Sequence, residues 1–186
     1  MSLSDRVWWT KKSRTQAEKR LLSNDFYSQV ILLWYSIFLV FYSIYGLKSA
    51  SESQLFSVVM VALSVLVLCA TLFVSNRSFK ERSMLIKQCY EQLSIIYNKS
   101  SKPNYNECDL EIEYQNILSI CENHKDIDYK CAVFNEYYCT PKAKRDGLTK
   151  TPTCVININV LFYYLFRCIV VMFLFVFPIG IFCFLR

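Results

Sequence analysis

The chain has 186 residues and a formal net charge of +6, with 54% hydrophobic and 16% aromatic residues but only three glycines. That balance excludes a disordered chain, which lacks the apolar surface to form a core. The apolar residues are gathered into long uncharged runs instead of recurring with a helical period, which excludes an ordinary soluble domain and points to a membrane protein.

Residues 1–25 carry six Lys and Arg against three acids and contain no Pro or Gly. The stretch "WWTKKSRTQAEKRLLSNDFYSQ" therefore predicts a basic amphipathic helix that continues without a break into the first apolar run. Residues 26–46 hold no charge over 21 residues, and residues 55–76 none over 22. Each reaches the roughly 20 residues needed to cross a hydrocarbon core. The two predict a transmembrane hairpin, 26–46 and 55–75, with residues 47–54 as a turn too short to hold an external domain. The first run is too long for the apolar part of a signal peptide, about 7–15 residues, and no small-residue cleavage site follows it. It is expected to stay as a signal anchor.

Residues 76–140 read as a cytosolic helical region. In "NRSFKERSMLIKQCYEQLSIIYNKS" Phe79, Ile86 and Leu93 share a face with Cys89, Tyr90 and Tyr97, predicting an amphipathic helix that continues the second span. "SSKPNYN" breaks it. Asn106 is placed to cap a second helix, on which Leu110, Tyr114, Ile117, Leu118 and Cys121 form an apolar stripe. Together these predict a cytosolic α-helical hairpin. "ENHKDIDYK" turns the chain, and a short helix through Phe134 and Tyr138 follows.

Residues 141–154 form a basic linker marked by Pro141, Gly147 and Pro152. From Val155 to Leu185 the only charge is Arg167, over 31 residues. Asn157, Asn159, Tyr163, Tyr164 and Arg167 read as an interfacial lead-in, with a third span from Cys168, a kink at Pro178 and Gly180, and Arg186 as its far anchor. The fold class is thus an all-α membrane protein: transmembrane hairpin, cytosolic helical hairpin and a third C-terminal transmembrane helix. The turn holds only Lys48 and Glu52, whereas Arg77, Lys80, Arg82 and Lys87 follow the second span. The positive-inside rule then puts the N-terminus and the bulk of the soluble part in the cytoplasm and the C-terminus outside, in a multi-pass protein.

The nine cysteines form no C-x-x-C pair, and His124 is the one histidine. Neither a zinc site nor a disulfide framework is expected, and the thiols read as small buried apolar groups. No cofactor is expected, and with no nucleophile–base pair or facing carboxylates the chain does not read as an enzyme.

Three groups stand out as candidate sites. Gln29, Ser36 and Ser43 step by seven, as do Ser57, Ser64 and Thr71, so each set occupies one helix face. Such faces serve either helix packing or, in an oligomer, the wall of a hydrated path. Glu122, Asn123, His124, Asp126, Asp128 and Tyr129 provide capping and turn chemistry or, with Leu118, a contact surface for a subunit or ligand. Lys142, Lys144, Arg145 and Lys150 suit anionic headgroups or a phosphate-bearing nucleotide.

"RTQAEKRLLSNDFYSQ" running into a span, a transmembrane hairpin, and a cytosolic helical pair ending in "ENHKDIDYK" resemble a SLATT domain over roughly residues 8–140. The third span lies outside that two-helix plan. The resemblance implies an oligomeric membrane effector of bacterial antiphage defence that perturbs the inner membrane, expected to form a pore or depolarise it and so cause abortive infection. Its expected partners are further copies of itself, the lipid bilayer and a sensor encoded nearby. That sensor would be either a cyclic-oligonucleotide synthase acting through a diffusible nucleotide or a reverse transcriptase. The competing reading is a membrane-anchored scaffold or partner-binding subunit that forms no pore.

Overall fold

A computed structural model describes residues 2–48, 54–100 and 106–185. Six α-helices follow in order: α1 (Leu3–Lys48), α2 (Gln54–Asn76), α3 (Phe79–Ser100), α4 (Glu107–Ile120), α5 (Asp126–Cys139) and α6 (Cys154–Leu185), with a 3-10 helix at Lys142–Gly147. There is no strand among the described residues, so the all-α class holds. The proposed tip of the transmembrane turn (residues 49–53), the proposed break at residues 101–105 and the proposed anchor Arg186 lie outside the described residues. The chain forms two compact units, Met1–Ser23 with Phe79–Leu165, and Asn24–Ser78 with Phe166–Arg186.

The first unit is organised around α1. Leu3, Val7, Arg14, Ala17 and Leu21 are all buried, and with Thr10 they repeat at alternating steps of four and three, the spacing of a coiled-coil seam. Leu3 and Val7 enter one core with Cys89, Leu93 and Ile96 of α3 and Leu110, Tyr114 and Ile117 of α4, against which Tyr97, Leu118 and Cys121 pack. Ala17 and Leu21 enter a second core with Ile86, flanked by Phe79 and Tyr90. The hairpin expected from the sequence is present, and Asn106 caps α4 by accepting a hydrogen bond from the Cys108 amide at 3.2 Å. What the sequence reading missed is that α1 is its third helix.

Three of the basic charges of α1 are correspondingly used inside this unit, while Lys19 is exposed. Arg6 pairs with Glu111 of α4, Lys12 with Glu136 of α5 at 2.8 Å, and Arg20 with Asp128 of α5 at 2.7 Å. Acids on the later helices answer bases on the first, which is why the segment reads as a free cationic helix when scanned alone.

The second unit contains the remaining parts of α1 and α6 together with α2. Each of these three helices contains a stretch long and apolar enough to cross a membrane. Helices suit that setting because their backbone donors and acceptors are satisfied within the segment. α1 and α6 are tied by two side-chain bonds to main-chain carbonyls. The Trp34 indole donates to Phe175 O and the Tyr35 hydroxyl to Leu174 O, both at 3.1 Å.

One boundary differs from expectation. α2 ends at Asn76, and Ser78 has a φ of 44°, a left-handed conformation that a right-handed helix cannot contain. α3 is therefore a separate helix and does not prolong the second span. α6 runs as one helix from Cys154 through Pro178 to Leu185, and so includes both the lead-in and the third span.

Leu93 is fully buried and Leu22 is 44% exposed. Leu93→Ala should lower unfolding stability in detergent by roughly 2–5 kcal/mol, and Leu22→Ala should stay within about 0.5 kcal/mol. Denaturant titration of both variants checks the core assignment.

Candidate functional site

The most unusual chemistry in the first unit lies under the α1 seam. Arg14 is only 1% exposed, yet among the described residues no carboxylate forms an ion pair with it. Its Nη1 donates to the Cys89 and Cys121 sulfurs, the latter at 2.7 Å, and its Nε has no partner. Burial pushes the Cys89 thiol up to about 12, helped by its hydrogen bond with Cys121 and opposed by the charge of Arg14. Cys89 is thus a neutral thiol at pH 7 and offers the guanidinium no counter-charge. Removing such a charge from water costs several kcal/mol, so the seam holds Arg14 through the packing around it.

His124 stands at the edge of this centre. Its pKa is lowered by burial and by the charge of Arg14, against the pull of Asp128 and Asp126, and its Nδ1 is buried without a partner. The other residues of the "ENHKDIDYK" group have structural partners. Glu122 accepts a forked pair from Arg82, from Nε at 2.8 Å and Nη2 at 2.6 Å. Asn123 accepts from the His124 amide at 2.9 Å, and Asp126 pairs with Lys130 at 2.7 Å. Asp128, 2% exposed, takes Arg20 Nε at 2.7 Å and Nη2 at 3.0 Å, and also accepts from the Lys125 amide at 2.8 Å. Leu118 is half-buried against the α3–α4 core. The group therefore binds α1, α3 and α5 together, as capping and ion pairing.

The basic linker divides in two. Lys142 and Lys144 are exposed. Arg145 lies over the Tyr137 ring at 4.6 Å and donates to Thr140 O at 3.1 Å. Lys150 sits between the rings of Trp9 and Tyr129, at 5.4 and 4.7 Å. Beside it the Trp9 indole donates to Thr149 at 2.8 Å, and Thr149 donates to Asp5 at 2.6 Å. The linker is pinned to the start of α1, and Lys142 and Lys144 are the cations it presents outward.

In the second unit all six stripe positions, Gln29, Ser36, Ser43, Ser57, Ser64 and Thr71, are exposed on the single chain. They do not form a seam between its own spans. Ser36, Ser64 and Thr71 each donate to the carbonyl four residues back at 2.8–2.9 Å, and Gln29 donates to Asp25 at 2.9 Å. The cysteines depart from expectation in the same way. Cys89 and Cys131 are buried and Cys121 is half-buried, but Cys69, Cys108, Cys139, Cys154, Cys168 and Cys183 are exposed. No group of three or more metal-binding side chains occurs among the described residues.

An all-α chain with three membrane-length apolar helices and a helical unit tied together by internal ion pairs is, by class, a membrane protein. It belongs to the SMODS and SLOG-associating 2TM effector domain family 5, whose match covers residues 1–185. The match includes the third apolar helix, so that helix is part of the family's domain and not an addition to it. The chain is accordingly a membrane effector domain of antiphage defence systems. No curated protein and no solved structure matches it.

Asp128→Asn removes the charge facing Arg20 in a nearly dry setting and should cost about 3–5 kcal/mol. Glu122→Gln, at a more exposed pair, should cost no more than about 1 kcal/mol. Denaturation of the two variants side by side checks this order. A second prediction concerns pH. Because the folded-state pKa of His124 lies below its unfolded value, the unfolded chain binds the extra proton first. Stability from the neutral imidazole is then full above the unfolded pKa of about 6.5 and declines as pH falls below it. Thermal midpoints measured from pH 7.5 to 5.5 should fall less steeply for His124→Gln than for the parent.

Proposed function

We propose that the chain is an oligomeric effector of a bacterial antiphage defence system, and that it forms a pore or depolarises the inner membrane when a partner sensor signals. The observation that carries this reading is the outward exposure of both seven-residue polar stripes. Within a membrane, polar positions turned away from the rest of their own chain gain most by meeting another copy or a hydrated path. A ring of subunits provides both.

The soluble unit suits the receiving end of such a device. Its helices are joined by ion pairs and thiol contacts, which a sensor or its nucleotide product could rearrange, and Lys142 and Lys144 present exposed cations. α1 and α6 each belong to both units, so they are the covalent routes by which a change in one reaches the other. In this reading α1 is gripped by the α3–α4 core and not by headgroups. In the same reading the bulk of the first unit is cytoplasmic, which the Lys and Arg distribution supports.

One observation favours the scaffold reading instead. The hydroxyls of Ser36, Ser64 and Thr71 are already satisfied by their own backbone, so they can face a packed neighbour without water. Ser36→Leu combined with Ser64→Leu separates the two. A pore wall predicts normal oligomer size with leakage from liposomes strongly suppressed, because leucines favour dewetting of a narrow path. A packing seam predicts a changed or lost oligomer. Normal assembly with undiminished leakage would contradict the stripe's part in either.

A further inference from the structure

The second unit holds a cleft of about 440 Å³ among α1, α2 and α6. Its walls are apolar apart from Ser28 and Tyr35, and the Tyr35 hydroxyl is already bonded to Leu174 O. Apart from Ser28 the walls offer water no partner, and an empty apolar cleft forfeits dispersion contacts. Something apolar therefore fills it, and its size limits what. One flexible hydrocarbon chain can enter it.

Two arginines outside the lining follow from its neighbours, one just beyond the end of α2 and one on α6. Along α2 the cleft-lining residues Leu63, Val67, Ala70 and Val74 form a helical stripe, and Arg77 is the next position in that series. It is exposed, with its guanidinium over the Phe73 ring at 4.8 Å. On α6, Arg167 lies six residues, about 9 Å, before the cleft-lining Phe173. It donates to Asn24 Oδ1 at 2.8 Å and lies over Tyr27 at 5.3 Å, immediately before Ser28 at the cleft wall. The nearby carboxylate, Asp25, accepts from Gln29 at 2.9 Å.

From this juxtaposition we infer that the second unit binds one anionic phospholipid, its acyl chain in the cleft between Ile31, Leu66 and Phe173 and its phosphate at Arg77 and Arg167. A zwitterionic lipid offers the same tail, but its cationic headgroup opposes the two arginines. The cleft supplies affinity for any tail, and the arginines supply the preference for negative headgroups.

Native mass spectrometry of the full chain in detergent, titrated with phosphatidylglycerol and phosphatidylcholine of identical acyl chains, tests this. The parent should retain phosphatidylglycerol preferentially, and Arg77→Gln should reduce that retention about fivefold while leaving phosphatidylcholine unchanged. Ala70→Trp, which fills the cleft, should reduce both lipids. Equal retention of the two lipids by the parent would overturn the inference, as would unchanged phosphatidylglycerol binding in Arg77→Gln. Arg77 is exposed at a helix end, so that variant keeps the test decisive even if Ala70→Trp fails to fold. The readout needs no leakage activity, and its failure is distinct from failure of the pore reading.

Discussion

The first unit depends on the burial of one face of α1. Leu3, Val7, Arg14, Ala17 and Leu21 place a coiled-coil seam on a segment whose composition is strongly basic. Fully burying one such aliphatic side chain contributes about 1.5–3 kcal/mol, so several of them outweigh the cost of carrying Arg14 into the core. Once that face is fixed, the remaining geometry follows. Arg6 and Lys12 reach acids on α4 and α5, Thr10 meets the Tyr114 hydroxyl at 2.9 Å, and Arg20 meets Asp128. The same helix then continues as an apolar span, so the order of residues in α1 sets both what holds the first unit and what enters the second.

The membrane unit obeys a different constraint. With lipid as solvent, apolar side chains gain nothing from hiding, and Leu33, Phe41, Val61 and Ile169 stand outward. Specific structure then comes from polar groups and close packing. Trp34 and Tyr35 reach main-chain carbonyls of α6, and Arg167 is steadied by Asn24 and Tyr27. The polar stripes carry no such intrachain role across helices. Their outward position separates them physically from the residues that assemble the single chain, and it is the reason for placing oligomer contacts there.

Much of this was legible in the residues. Uncharged runs of sufficient length announce spans directly. The α4 stripe and the Asn106 cap are local patterns with a definite helical period, and each appears where expected. The failures share a cause. The seam of α1 is interrupted by Thr10 and Arg14, so a scan for apolar periodicity sees a cationic helix, and only the alternating four-and-three spacing could have revealed it. The break at Ser78 carries no Gly or Pro signal. The partners of Glu122, Asp128 and Lys150 lie on distant segments, Arg82, Arg20 and Trp9, and pairings over such separations leave no trace in local sequence. A cleft formed by three helices is likewise a property of their packing and not of any one of them.

The central claim is that the outward polar faces of α1 and α2 meet other copies of the chain. Disulfide cross-linking in native membranes tests it most directly, using a chain whose membrane cysteines Cys69, Cys168 and Cys183 are replaced by alanine. With Ser36→Cys or Ser64→Cys, oxidation should give covalent dimers on denaturing gels. Phe41→Cys, also exposed but about 140° around α1 from Ser36, should give few. Equal cross-linking at Ser36 and Phe41, or none at either stripe position under conditions where the effector acts, would contradict the account.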